Sequence, residues 1–266
     1  MKTIVFAAAI AAVAVLSGSA AAQVSPISAT GWNEDMVINN PAPFDASITG
    51  TMDGGFSTIE NWTWVAKDTY TDSSNNTVPF EGLEAGVHSS LTGNGTFEFQ
   101  PFNGLNVLGL DSGQPSATLT LTSPAKYKSL ALYGASGFGA KTADVTLTFA
   151  DASTTLLSVA SGTGIGTDWF NNGSDRAYAA LARASNKSEE GYTLLFYQQN
   201  DAISINESFF TLSPADQGKV LTSVTVTNTG GDRMAVFALS GQLVPEPTSI
   251  GLLAVGLLGM VLRRRS

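Results

Sequence analysis

Ala143-Asp144-Val145-Thr146-Leu147-Thr148-Phe149 settles the fold class, because its apolar and polar residues alternate without a break. A period of two puts Val145, Leu147 and Phe149 on one face of an extended strand and Asp144, Thr146 and Thr148 on the other. Asp151-Ala152-Ser153 follows as a turn-forming cluster, and then Thr154–Val159 reads as a second strand, so a hairpin is expected here. Thr118-Leu119-Thr120-Leu121 repeats the alternation upstream. Further strand-like stretches lie at Phe56–Val65, Thr96–Phe102, Ala117–Thr122, Ser129–Tyr133, Tyr192–Tyr197, Ser208–Leu212, Ser223–Asn228 and Met234–Leu239. Thr229-Gly230-Gly231-Asp232 fits a hairpin turn between the last two. Only Asp175–Ala184 (DRAYAALARA) reads as helical, a short excursion from a loop. Many short strands with one helix predict an all-β, antiparallel β-sandwich of jelly-roll-like form. No self-similarity at about 20–50 residues is present, which argues against solenoids and propellers.

Composition agrees and removes several chemistries. Charged residues are 13% of the 266, and 27 are glycine, which suits short strands joined by tight turns. There is no cysteine, so disulfides, thiolate zinc sites and thiol catalysis are excluded. Of the 13 Lys and Arg residues, Lys2 and Arg263–Arg265 lie outside residues 23–247; nine therefore face 22 carboxylates there, a net charge of −13. A body this acidic repels phosphate backbones, so nucleic acid is not an expected partner.

The two ends read as targeting segments around a single body. Met1-Lys2 gives a positive start, Ile4–Leu16 is apolar, and Ala20-Ala21-Ala22 supplies small residues before Gln23. This is the layout of a signal peptide over 1–22. Thirteen apolar residues rise only about 20 Å as a helix, short of a hydrocarbon core of about 30 Å. Residues 23–243 form the expected β-sandwich ectodomain, long enough for one sizeable core. Residues 244–266 begin with Val244-Pro245-Glu246-Pro247, continue with the apolar Thr248–Leu262, and end in Arg263-Arg264-Arg265-Ser266. The prolines stop a preceding strand. The apolar stretch, read as a short transmembrane helix 248–262, spans about 22 Å and is marginal as a lasting anchor. The arginines hold its end in the cytoplasm.

The tail VPEPTSIGLLAVGLLGMVLRRRS closely resembles the PEP-CTERM sorting domain: a Pro-Glu-Pro motif, a short Gly/Leu-rich helix and an arginine cluster. The resemblance implies that Pro245, Glu246 and Pro247 are the recognition motif of an exosortase substrate, and that the exosortase cleaves the tail. It implies transient residence in the inner membrane, then the cell surface or extracellular matrix of a bacterium that makes exopolysaccharide or biofilm. A second resemblance runs through Tyr127–Gly137 (YKSLALYGASG), Ala143–Ser158, Asp168–Phe170 (DWF) and Leu221–Gly241. These strand-and-turn patterns look like jelly-roll domains of exported bacterial proteins, some of which accompany carbohydrate-active enzymes.

Candidate sites in the body are few. His88 is the only histidine and no Gly-x-Ser-x-Gly elbow exists, so a Ser–His–Asp triad is set aside and His88 reads as an exposed strand position. Glycoside hydrolysis needs two carboxylates about 5–10 Å apart. Glu60, Glu98 and Glu207 sit in strand-like contexts and are the candidates for such a pair, but outward strand positions are the favoured reading of all three. Gly134–Gly139 and Gly162–Gly166 open no helix of useful length and read as turns, not phosphate loops. Asp68–Asp72 with Asn75 and Asn76 is rich in oxygen and could hold structural calcium, but it lacks EF-hand spacing. Trp62 and Trp64 share a strand face, as core residues or as a glycan-stacking pair; Trp32, Trp169 and Tyr178 fall in loops. Asn-x-Ser/Thr sequons at Asn61, Asn75, Asn94, Asn172, Asn186 and Asn206 read as turn chemistry. No cofactor and no catalytic residue are expected. The functional expectation is a non-enzymatic surface or matrix protein, with a displayed glycan-binding module and a carboxylate-dependent glycosidase or lyase as alternatives.

Overall fold

The alternating stretch becomes a strand with the same limits in the computed structural model, which describes residues 23–39, 48–53, 62–71, 77–171, 173–185 and 196–245. Among the described residues the early strands are β1 (Ser25–Pro26), β2 (Ala29–Thr30), β3 (Val37–Ile38), β4 (Trp62–Val65), β5 (Asp68–Thr71), β6 (Thr77–Phe80), β7 (Gly86–Ser89) and β8 (Thr96–Phe99). Then come β9 (Leu108–Leu110), β10 (Ser116–Ala125), β11 (Tyr127–Ser136), β12 (Ala143–Phe149) and β13 (Thr154–Val159). The last are β14 (Arg176–Ala179), β15 (Ala182–Ser185), β16 (Phe196–Gln199), β17 (Ser204–Thr211), β18 (Leu221–Asn228) and β19 (Met234–Leu243). A one-turn helix, α1 (Pro214–Gln217), precedes β18. The expected signal peptide (residues 1–22), the stretch 248–262 and Glu60 lie outside the described residues.

Eight strands make the jelly roll. One sheet runs β1-β19-β11-β17-β14, with β9 also on β19, and the other runs β13-β12-β18-β10-β2. Taken in chain order, β9, β10, β11, β12, β13, β17, β18 and β19 pair first with last: β9 on β19, β10 on β18, β11 on β17 and β12 on β13. That is one long antiparallel ribbon folded at its middle and rolled so that its successive strand pairs alternate between the two sheets. The fold point is the turn at Asp151–Ser153. There the Ala152 N–H donates to the Phe149 carbonyl at 2.9 Å, and Ala152 sits at φ 63°. The expected hairpin is present.

Two expectations fail. Thr229–Asp232 does not close a hairpin, because β18 and β19 lie in opposite sheets and the segment crosses between them at one end of the roll. Asp175–Ala184 is not helical: Arg176–Ala179 pairs with β17, and Ala182–Ser185 pairs with β4 and β16. Leu181, at φ 63°, separates the two strands. Alanine favours a helix by only tenths of a kcal/mol per residue, and strand pairing that buries Ala177, Ala182 and Ala184 outweighs that preference.

The sheet containing β11 and β19 is covered on both faces. Leu130 and Leu132 of β11, with Met234, Val236 and Leu239 of β19, pack against Leu119, Val145, Leu147, Val224 and Val226 of the opposite sheet. Ala131, Tyr133, Ala135 and Phe237 point the other way, into a second core with Trp64, Trp169, Phe97 and Phe99. A register shift between Tyr133 and Gly134 leaves Phe237 as an extra residue, so Phe237 and Ala238 share one core despite being neighbours. Burial on both sides explains why β11 and β19 read as near-continuous apolar runs while β12 alternates.

Candidate functional site at the two ends of β19

Strand β19 links two poles. Its C-terminal end carries the tail: Leu243 is 59% exposed, the Val244 N–H donates to the Lys126 carbonyl at 2.9 Å, and Pro245 is exposed. Strand β1 pairs there as well, Ser25 opposite Gly241 and Pro26 opposite Ser240, so residue 23 and the tail emerge side by side. Glu246, Pro247 and Arg263–Arg265 lie outside the described residues. Among the described residues no helix is long and apolar enough to cross a membrane.

The N-terminal end of β19 opens on a cleft of about 450 Å³. Three roll strands deliver its chemistry: Arg233 just before β19, Asp111 just after β9, and Phe138 just after β11. Glu34 comes from the segment before β3, held by its N–H on the Val107 carbonyl at 3.1 Å. Arg233 is 8% exposed; its guanidinium pairs with Glu34, with Asp111 Oδ2 at 2.9 Å, and donates from Nε to the Thr51 carbonyl at 2.8 Å. Glycine makes the room: a Cβ at Gly50 would fall 2.1 Å from Glu34 Oε2 and 2.2 Å from Arg233 Nη2. Burial pushes the Glu34 pKa above its ordinary value, although Arg233 pulls it down. For Asp111 burial also acts upward, but the N–H groups of Gln114 and Gly113, with Arg233, outweigh it and hold the carboxyl below the ordinary range.

Phe138 is 52% exposed at φ 55°, where a bulky side chain costs about 1–2 kcal/mol. Its peptide is pinned nonetheless. The Phe138 carbonyl accepts from Lys141 Nζ at 3.0 Å, and the next N–H, of Gly139, donates to Asp168 Oδ2 at 2.6 Å. Lys141 Nζ is also 2.7 Å from Asp232 Oδ2.

The sequence-derived candidates are dispersed. Trp64 is 0% exposed and packs edge-on against Trp169 (4.8 Å) and Phe237 (4.7 Å), so it offers no ring to a glycan. Trp62 is partly buried, with the Arg183 guanidinium 4.4 Å over its ring. The stacking pair is thereby corrected to a core residue and its capped neighbour. Trp169 is buried, and its Nε1 donates to Asp53 Oδ2 at 3.0 Å. His88 is half-buried rather than exposed, set against Phe97, Phe99 and Tyr178, with Nε2 2.7 Å from the Glu84 carbonyl. Glu98 points outward from β8.

Glu207 does not point outward. It is 5% exposed and accepts from Ser90 Oγ (2.5 Å), Thr92 Oγ1 (2.7 Å) and Asn94 Nδ2 (2.6 Å). Asn206 lies on β17 at 0% exposure, which corrects its reading as a turn residue. Asp68 accepts from the Thr69 N–H at 2.7 Å, whereas Asp72, Asn75 and Asn76 lie outside the described residues. Arg233, Glu34, Asp111 and Phe138 escaped the sequence reading because 199 residues separate Glu34 from Arg233 and no local pattern joins them.

The jelly-roll body thus ends at a core strand, and the exposed Pro245 begins the tail. Residues 243–265 match the PEP-CTERM protein-sorting motif. The motif marks an exported protein that is sorted by an exosortase to the cell surface. No curated protein matches the chain.

Proposed function

We propose that this is a non-enzymatic surface or matrix protein, exported by its signal peptide and held briefly in the inner membrane through residues 248–262. The exosortase then cuts its tail, and the body associates with extracellular polysaccharide. The observation that carries this reading is the junction at the end of β19, where an exposed Pro245 follows the last strand pairing of the body. Every partner of β19 lies before Pro245, so removing the tail takes no strand from the roll. The non-enzymatic part is supported by Glu207, whose carboxylate is engaged by Ser90, Thr92 and Asn94, and by His88, packed among aromatic rings. No cofactor enters this account.

Replacing Pro245, Glu246 and Pro247 together by alanine tests the sorting step. The expected result is a full-length chain accumulating in the membrane fraction. Release at the parental rate would count against recognition of the motif.

A further inference from the structure

We infer that the cleft around Arg233 and Phe138 binds a neutral saccharide chain. The inference builds on the matrix reading above and assigns it a site and a ligand class.

Four observations converge. The cleft, at about 450 Å³, falls within the usual range of roughly 300–1,000 Å³ for small-ligand sites. Its wall holds carboxylate acceptors from Glu34, Asp111 and Asp232, whose remaining lone pairs can accept from sugar hydroxyls. Thr51 lines the same cleft at 7% exposure, and its hydroxyl has no hydrogen-bond partner among the described residues, leaving a buried polar atom unsatisfied. Phe138 supplies an exposed ring on a loop pinned at its carbonyl, a flat apolar surface for the C–H face of a sugar. Its positive φ is a local cost that a role in presenting the ring accounts for.

Charge selects the ligand class. Arg233 is taken up by Glu34 and Asp111, and Lys141 by Asp232, so neither cation is left to receive a uronate or a phosphate. The net charge of −13 over residues 23–247 repels acidic chains as well. Position agrees: β19 runs from Met234 at the cleft to Leu243 at the tail, ten residues, or about 33 Å of strand. While the tail is in the membrane, the cleft is at the pole facing away from it.

The test measures retention of the exported protein on immobilised dextran, a β-1,3-glucan and cello-oligosaccharide, with polygalacturonate as the acidic comparison. Binding to at least one neutral probe and not to polygalacturonate is expected, weakened about tenfold by Phe138→Ala. Asp232→Asn, at an exposed position, is expected to weaken it in the same direction, and unchanged unfolding midpoints exclude misfolding as the cause. Equal binding by both variants would overturn the cleft assignment while leaving matrix association standing. Failure on all three neutral probes, or preference for polygalacturonate, would overturn the ligand class, while the tail-processing reading stands or falls on its own measurement.

Discussion

Arg233 sits 8% exposed between two carboxylates whose affinities for protons are driven in opposite directions. Glu34 is more buried than its ion pair compensates, so its folded pKa lies above the ordinary 4.5. Between 4.5 and that raised value the folded chain binds a proton that the unfolded chain has released. Stability from this group therefore rises as pH falls through the window. Asp111 behaves conversely: its folded pKa lies below 3.8, so its contribution is present above 3.8 and is lost as pH falls through the folded value. Denaturant unfolding across a pH series is expected to show the first slope in the parent and its loss in Glu34→Gln. Carboxyl resonances placing the Glu34 midpoint below 4.5 would contradict this assignment. None of this could be read along the chain. Glu34 and Arg233 have no local pattern in common, and it is the roll that brings the ends of β9 and β19 together.

At the scale of elements, legibility followed burial. Strands β12 and β13 were readable to the residue because one face of each meets the core and the other meets water. Strands β11 and β19 extend past the Ser129–Tyr133 and Met234–Leu239 stretches that the sequence marks, since sides buried in two cores erase the alternation that marks a boundary. The Asp175–Ala184 segment misled because its alanines carry helix propensity, while the period-two burial of Ala182 and Ala184 shows only beside β4. The Thr229–Asp232 segment has turn residues but not hairpin geometry, because turn chemistry does not say in which sheet the next strand lies. The central hairpin offers an element-scale test. Ala152 occupies a left-handed conformation at φ 63°, which costs an L-residue about 1–2 kcal/mol relative to glycine. Ala152→Gly is expected to stabilise the protein by about 0.5–1 kcal/mol, after the entropy that glycine adds to the unfolded chain. A lower unfolding midpoint in the variant would show that the turn is not the relaxed fold point of the roll.

On the scale of the whole molecule, β19 divides the labour. It carries the tail at one end and the Arg233 cleft at the other, and β11 holds it along its length between. Strand β1 pairs beside the tail, so both ends of the body face the same pole, and every strand of the roll lies before Pro245. The PEP-CTERM match at residues 243–265 says how the chain is sorted, and the motif was legible because its chemistry is contiguous. The cleft was illegible because its chemistry is assembled from five separate segments. Intact-mass measurement of the native protein from an exosortase-producing strain and from its exosortase deletion bears most directly on the account. The expected result is a mature chain beginning at Gln23 in both, with the tail lost from within residues 244–266 only when the exosortase is present. A mature chain that keeps Thr248–Ser266 in both strains would contradict it.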